Sequence, residues 1–171
     1  MYRTYLITLS DSGYYENAKD LSADEAVKTL YLSKFEIVGK ALLPDDKDKI
    51  ENLLSKICDE NIADIIFTMG GTGFSKRDNT PEATRAVIEK ETIGLTVLMH
   101  MKGINITEKS ALSRAISGIR KKTLIINLPG SPKAVRENLE NIIEILPHAL
   151  DILLGTAHDC AGTEKNRKIK K

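Results

Sequence analysis

Over its first half this chain alternates short apolar runs with stretches whose apolar residues recur every three or four positions, and few folds accommodate that alternation. Tyr5-Leu6-Ile7-Thr8-Leu9, residues 35–43 and residues 64–69 read as strands bounded by polar or glycine-rich turns. Ala23, Ala26, Val27, Leu30 and Tyr31 fall on one face of a helix starting near Ser22, and Ile50, Leu53, Leu54 and Ile57 on one face of the next. A third helix is expected from Pro81, a favoured first-turn residue, towards Lys90. Three strand-and-helix units in succession predict a three-layer α/β/α domain, its sheet mostly parallel and covered by helices on both faces.

In the second half, residues 94–102 read as helix and residues 103–117 as short helix and loop. Thr123-Leu124-Ile125-Ile126-Asn127-Leu128 is the clearest strand there. Val135, Leu139, Ile142 and Leu146 mark a long helix, followed past Pro147 by a shorter one to Leu154. A chain of 171 residues forms one domain, expected over 1–160, that buries roughly 70% of its unfolded surface; residues 161–171 are polar and basic and read as a disordered tail.

Lys plus Arg number 25 against 24 Asp plus Glu, a balance of +1 that gives no footprint for nucleic acid. Cys58 and Cys160 match no zinc spacing and read as free thiols of a reducing cytoplasm. His100, His148 and His158 have no partner spacing. With no signal-peptide run at Met1-Tyr2-Arg3-Thr4-Tyr5 and no stretch of membrane-spanning length, the expectation is a soluble, cytoplasmic protein with no membrane partner.

The third strand runs into Met69-Gly70-Gly71-Thr72-Gly73-Phe74-Ser75-Lys76-Arg77-Asp78-Asn79-Thr80-Pro81-Glu82. Three glycines in four residues let the backbone take positive φ and bring its N–H groups close to an anion. The dinucleotide fingerprint lacks its third glycine here, and Walker A lacks its terminal Gly-Lys-[Ser/Thr]. A glycine-rich connection with no ligand is the structural alternative; the charges of Lys76, Arg77 and Asp78 favour a site.

Parallel strands joined by crossover helices place their carboxyl ends along one edge, where ligands of such sheets bind. The turns Ser10-Asp11, Pro44-Asp45, the glycine loop and Pro129-Gly130-Ser131-Pro132-Lys133 each follow a strand, so they are expected to meet. Backbone N–H groups would hold phosphate, with charge from Lys133, Lys76 or Arg77. Asp45 and Asp78 beside phosphate call for a cation between them, and magnesium shared with phosphate oxygens resolves that conflict. Phosphoryl or nucleotidyl transfer is the chemistry such a site serves. Taken singly, Asp45 could be a helix cap, Asp78 or better Thr80 the cap of the helix at Pro81, and Ser10 and Asp11 turn formers.

Gly70-Gly71-Thr72-Gly73-Phe74 with Arg77-Asp78 and Thr80-Pro81-Glu82-Ala83 closely resembles the molybdopterin adenylyltransferases of the MogA/MoaB type and the corresponding domains of gephyrin and plant molybdenum-insertion proteins. The likeness continues through Leu43-Pro44-Asp45, Leu112-Ser113-Arg114, Gly118-Ile119-Arg120, residues 124–131 and Leu146-Pro147-His148-Ala149-Leu150. It implies a molybdopterin-binding α/β fold, usually trimeric and possibly hexameric, that joins molybdopterin to ATP with Mg2+, giving adenylyl-molybdopterin and pyrophosphate. A molybdenum-insertion protein is a possible partner.

By that resemblance Asp45 and Asp78 are catalytic and metal-handling carboxylates. The resemblance also links Ser10, Asp11, Asp20, Gly70, Gly71, Thr72, Gly73, Phe74, Ser113, Asn127, Pro129, Gly130 and Ser131 to substrate binding. One departure lies at Asp20-Leu21-Ser22-Ala23, where the family usually has Ser-Gly. A non-catalytic molybdopterin carrier or scaffold with the same pocket is the competing function.

Overall fold

A computed structural model describes residues 1–16, 19–31 and 33–157. The expected tail at 161–171, with Cys160 and His158, lies outside the described residues. In chain order the elements are β1 (Tyr2–Leu9), α1 (Asp11–Glu16), α2 (Leu21–Leu30), β2 (Phe35–Leu43), α3 (Lys47–Asp59) and β3 (Ile65–Met69). Then follow α4 (Thr80–Val87), β4 (Lys90–Glu91), α5 (Ile93–Ile104), a 3-10 helix (Glu108–Leu112), β5 (Ser117–Arg120), β6 (Thr123–Leu128), α6 (Pro132–Ile142) and α7 (Leu146–Leu154).

The six strands form one sheet in the order β2-β1-β3-β6-β5-β4. The first four are mutually parallel, while β5 pairs antiparallel with β6 and β4 antiparallel with β5. The α/β/α reading therefore holds, with helices on both faces. Successive strand residues point to opposite faces, which explains the two cores. Leu6, Ile65, Phe67, Leu124 and Ile126 pack with α2, α5, α6 and α7. Ile7, Ile66 and Ile125 pack with α3 and α4 on the other face. Because β3 is buried on both sides, its sequence is apolar at every position but Thr68 rather than alternating.

Strand order reverses at β1: the chain goes outward to β2 and returns to β3 on the other side of β1. Ligands of doubly wound sheets bind where such a reversal splays the following loops apart. The turns after β1 and β3 flank that point, and those after β2 and β6 adjoin it.

Several local expectations change. Ser10 to Gly13 is not an open turn: Asp11 opens α1, with Ser10 Oγ accepting from the Gly13 N–H at 3.0 Å. Tyr31 is not on the buried face of α2; it lies just past the helix and is 80% exposed. The helix at Pro81 stops at Val87, and Lys90–Glu91 instead pairs with β5. Ser117, placed at the end of the short helix and loop, instead opens a strand, Ser117–Arg120, completed only by pairing with β6 and β4. Cys58 is a buried free thiol whose pKa burial pushes up to about 11, so it is held as an unreactive core residue.

Candidate functional site

The turns after the four parallel strands do meet. A cavity of about 620 Å³ is lined by Ser10, Asp11, Asp20, Asp45, Gly70, Gly71, Asp78 and Gly130, residues drawn from all four. A second, of about 500 Å³, is lined by Gly71, Thr72, Gly73, Asp78, Ser113, Pro129, Gly130 and Ser131 together with α5 and α6 residues such as Met99 and Asn138. Gly71, Asp78 and Gly130 belong to both walls, so the glycine loop is the partition between two ligand-sized compartments.

Gly70 and Gly71 take φ of 108° and 63°, conformations that side chains rarely adopt. Space is also lacking at Gly71. A Cβ there would run into Thr80 Oγ1 and come within 2.9 Å of Asp45 Oδ1. Both oxygens are buried and have no hydrogen-bond partner. Buried polar atoms are nearly always satisfied, so the orphaned Oδ1 of Asp45, a residue of the first cavity's wall, suits a place where a ligand supplies the missing contact, and Thr80 Oγ1 lies close to the same glycine.

The cap reading of Asp45 is excluded by its neighbour. Asp46 caps α3, accepting from the Lys49 N–H at 3.1 Å, which leaves Asp45 outside the helix. Asp45 and Asp11 are tied reciprocally: the Asp45 N–H donates to Asp11 Oδ1 at 3.0 Å and the Asp11 N–H to Asp45 Oδ2 at 3.3 Å. Burial holds the Asp45 carboxyl above the ordinary carboxylate value. The charges of Asp11 and Asp78 push the same way, against the Asp11 N–H and Arg77. A carboxylate made costly in this manner suits a group that meets a cation.

Asp78 does not cap α4 either. Its Oδ2 accepts from the Ser75 N–H at 2.8 Å inside the loop. Thr80 is already the first residue of α4, and Asn79, in the cap position, makes no side-chain capping bond. Asp45 and Asp78 therefore share one cavity wall. Among the described residues no group of three His, Cys, Asp or Glu side chains is placed to hold a metal ion. Two carboxylates nonetheless suit a hard divalent ion that keeps water and phosphate oxygens as its other ligands.

Of the basic residues, Arg77 is engaged by Asp11 through Nη2 at 2.7 Å and Nε at 2.8 Å, clasping the glycine loop to α1. That fork holds the Asp11 carboxyl below its usual range. Lys133 lies 3.7 Å from Glu137 one turn along α6, a residue of the second cavity's wall, without itself lining either cavity, and Lys76 is exposed. Asp20 lines the first cavity while capping α2, its carboxylate accepting from the Ala23 N–H at 2.9 Å. Ser22 Oγ donates to the Gly130 carbonyl at 2.6 Å, joining α2 to the loop after β6.

Two expected site residues stand apart. Phe74 is 71% exposed on the outer side of the loop and lines neither compartment. Asn127 is fully buried in β6: its Nδ2 donates to Thr68 Oγ1 at 2.9 Å and Thr84 Oγ1 at 2.8 Å, and its Oδ1 accepts from the Ile116 N–H at 3.2 Å. With its amide spent on protein partners, Asn127 acts by tying β6 to β3, α4 and the start of β5. Asn127→Ala strands the Ile116 N–H and should cost about 2 kcal/mol of stability in chemical denaturation. An unchanged denaturation midpoint would show these bonds to be dispensable. Arg114, by contrast, bears on the site and is not distinguished by spacing or charge pattern in the sequence.

With this geometry the chain can be set beside known proteins. Residues 5–148 match the family model described as "Probable molybdopterin binding domain". A molybdopterin adenylyltransferase of Helicobacter pylori is 40% identical over 146 residues, covering 85% of this chain and 82% of the relative. That of Escherichia coli K12 is 36% identical over 143 residues, covering 82% and 73% respectively. The solved structure of the molybdopterin biosynthesis enzyme MoaB from Thermus thermophilus superposes with a TM-score of 0.86 at 41% identity, covering 91% of this chain and 98% of that one. Among the described residues no helix is long and apolar enough to cross a membrane. Fold, site and sequence together make this chain a member of the molybdopterin-binding family of molybdenum cofactor biosynthesis.

Proposed function

We propose that the protein transfers the adenylyl group of ATP to molybdopterin, with magnesium, giving adenylyl-molybdopterin and pyrophosphate. The observation that carries this reading is the unpartnered buried Asp45 Oδ1, set against Gly71 in a residue that shares one cavity wall with Asp78, with the unpartnered Thr80 Oγ1 close to the same glycine. The names of the H. pylori and E. coli relatives support it.

In this mechanism an oxygen of the molybdopterin terminal phosphate attacks the α-phosphorus of ATP. One P–O bond forms, the bond to the bridging oxygen breaks, and pyrophosphate leaves. No nucleophilic side chain is needed. Backbone N–H groups of Gly71, Thr72 and Gly73, backed by the N-terminus of α4, hold the oxygens on which charge gathers. Asp45 and Asp78 would hold the magnesium, which would offset the charge of the phosphates. Ser10, Asp11 and Asp20 line one substrate compartment, and Ser113, Pro129, Gly130 and Ser131 the other. Holding two reactants on either side of one thin partition supplies the proximity that transfer requires.

The reading extends to a cytoplasmic homotrimer or hexamer that passes its product to a molybdenum-insertion protein. Incubation with ATP, magnesium and molybdopterin should yield adenylyl-molybdopterin and pyrophosphate in equal amounts. Tight molybdopterin binding with neither product would overturn the enzyme reading in favour of the carrier.

A further inference from the structure

We infer that Arg114 is a positioning residue for the transfer reaction, setting the glycine loop and the Asp78 carboxylate from outside both ligand compartments. For its activity readout this rests on the adenylyl-transfer reading. Its structural readout does not.

Arg114 lies between the 3-10 helix and β5. Its backbone N–H donates to the Thr72 carbonyl at 2.9 Å. Its side chain reaches the same loop twice more: Nε donates to the Gly73 carbonyl at 2.7 Å and Nη2 to the Asp78 carbonyl at 2.6 Å. Nη1 pairs with Glu82 in the first turn of α4. One residue thus joins the near end of the loop, its far end and the helix behind it. The planar guanidinium presents several donors in a fixed fork and can serve these acceptors at once, whereas an ammonium group is a compact point charge.

Asp78 owes its orientation to the loop that Arg114 spans. Its Oδ2 accepts from the Ser75 N–H at 2.8 Å and lies so near Gly73 that a Cβ there would stand 2.9 Å away. Releasing the 73 and 78 carbonyls frees both supports of the carboxylate together. Arg114 lines neither compartment; it faces an outer hollow with Phe74, Ser75, Asn79 and Glu82. Its influence on substrate therefore passes through the backbone it holds.

The test compares the full-length protein with Arg114→Met and Arg114→Lys by amide hydrogen exchange and steady-state kinetics. Exchange at Ser75, Asp78 and Thr80, whose N–H groups are bonded within the loop, should quicken about tenfold or more in Arg114→Met, with β1, β3 and β6 unchanged. Turnover should fall on the order of 10- to 100-fold, more than KM for ATP rises, and the magnesium concentration for half-maximal rate should increase. Arg114→Lys should recover part of each loss. Wild-type loop exchange in Arg114→Met would overturn the inference. So would a fall in turnover that merely tracks the folded fraction. If the wild-type protein makes no adenylyl-molybdopterin, the functional reading fails while the exchange comparison still decides the role of Arg114.

Discussion

Asp45→Asn should lower the rate of pyrophosphate release from ATP and molybdopterin by on the order of 100-fold or more, while making the ligand-free protein more stable at neutral pH. The two effects share one cause. Burial raises the Asp45 carboxyl above its unfolded value, so the folded protein holds that proton more tightly than the unfolded chain. Stability from this group is fully present below the unfolded pKa, near 4, and is lost as pH rises through the higher folded value. At pH 7 the ionised carboxylate is therefore a net cost. Asparagine keeps a polar oxygen of similar shape without that charge. A melting-temperature difference in favour of Asp45→Asn at pH 7 that shrinks below about pH 4 would support this account. A variant with unchanged turnover would remove Asp45 from the mechanism. Asp11 has the opposite sign: Arg77 holds its carboxyl low, so that stabilisation is present above the unfolded pKa and fades on acidification.

Gly71→Val should abolish binding of both ATP and molybdopterin, weakening each at least about 100-fold, while the sheet remains folded. At φ 63° a residue with a Cβ is strained by about 1–2 kcal/mol, and branching at Cβ adds crowding. The valine side chain would also be driven against Thr80 Oγ1 and Asp45 Oδ1, both buried and without a hydrogen-bond partner. Because Gly71 sits on the partition between the compartments, one substitution damages both. The loop lies at the sheet edge rather than within either core, so the loss of stability should be a small part of the whole. Titration calorimetry with each substrate, alongside circular dichroism, separates binding from folding. Nucleotide affinity retained in the folded variant would mean that the phosphates are held elsewhere.

Much of this was legible along the chain because its rules are local. The run 35–43 and the run 123–128 are the strands β2 and β6 without adjustment, since β-branched and aliphatic residues between turn formers have little else to become. Convergence of Ser10, Asp45, Gly71 and Gly130 on one edge followed from parallel topology alone. Phe74 and Asn127 were misplaced for a different reason. Membership in a motif locates a residue in the chain but not the direction of its side chain. Asn127 is aimed by the pleat into β6's α4-facing neighbours, Phe74 by the loop towards solvent.

The sequence by itself determined the layers, the order of the main elements and the edge at which the polar and glycine-rich turns gather, because periodicity and turn chemistry act over a few residues. Tertiary structure alone decided that Asp46 rather than Asp45 caps α3, that Ser117–Arg120 becomes a strand, and that Arg114 braces a loop about 40 residues earlier in the chain. Asp45 is drawn to Asp11, Ser117–Arg120 is flanked by Lys90–Glu91 as well as by its neighbour β6, and Arg114 reaches back to Gly73; whether such distant partners arrive is settled only when the chain has closed upon itself.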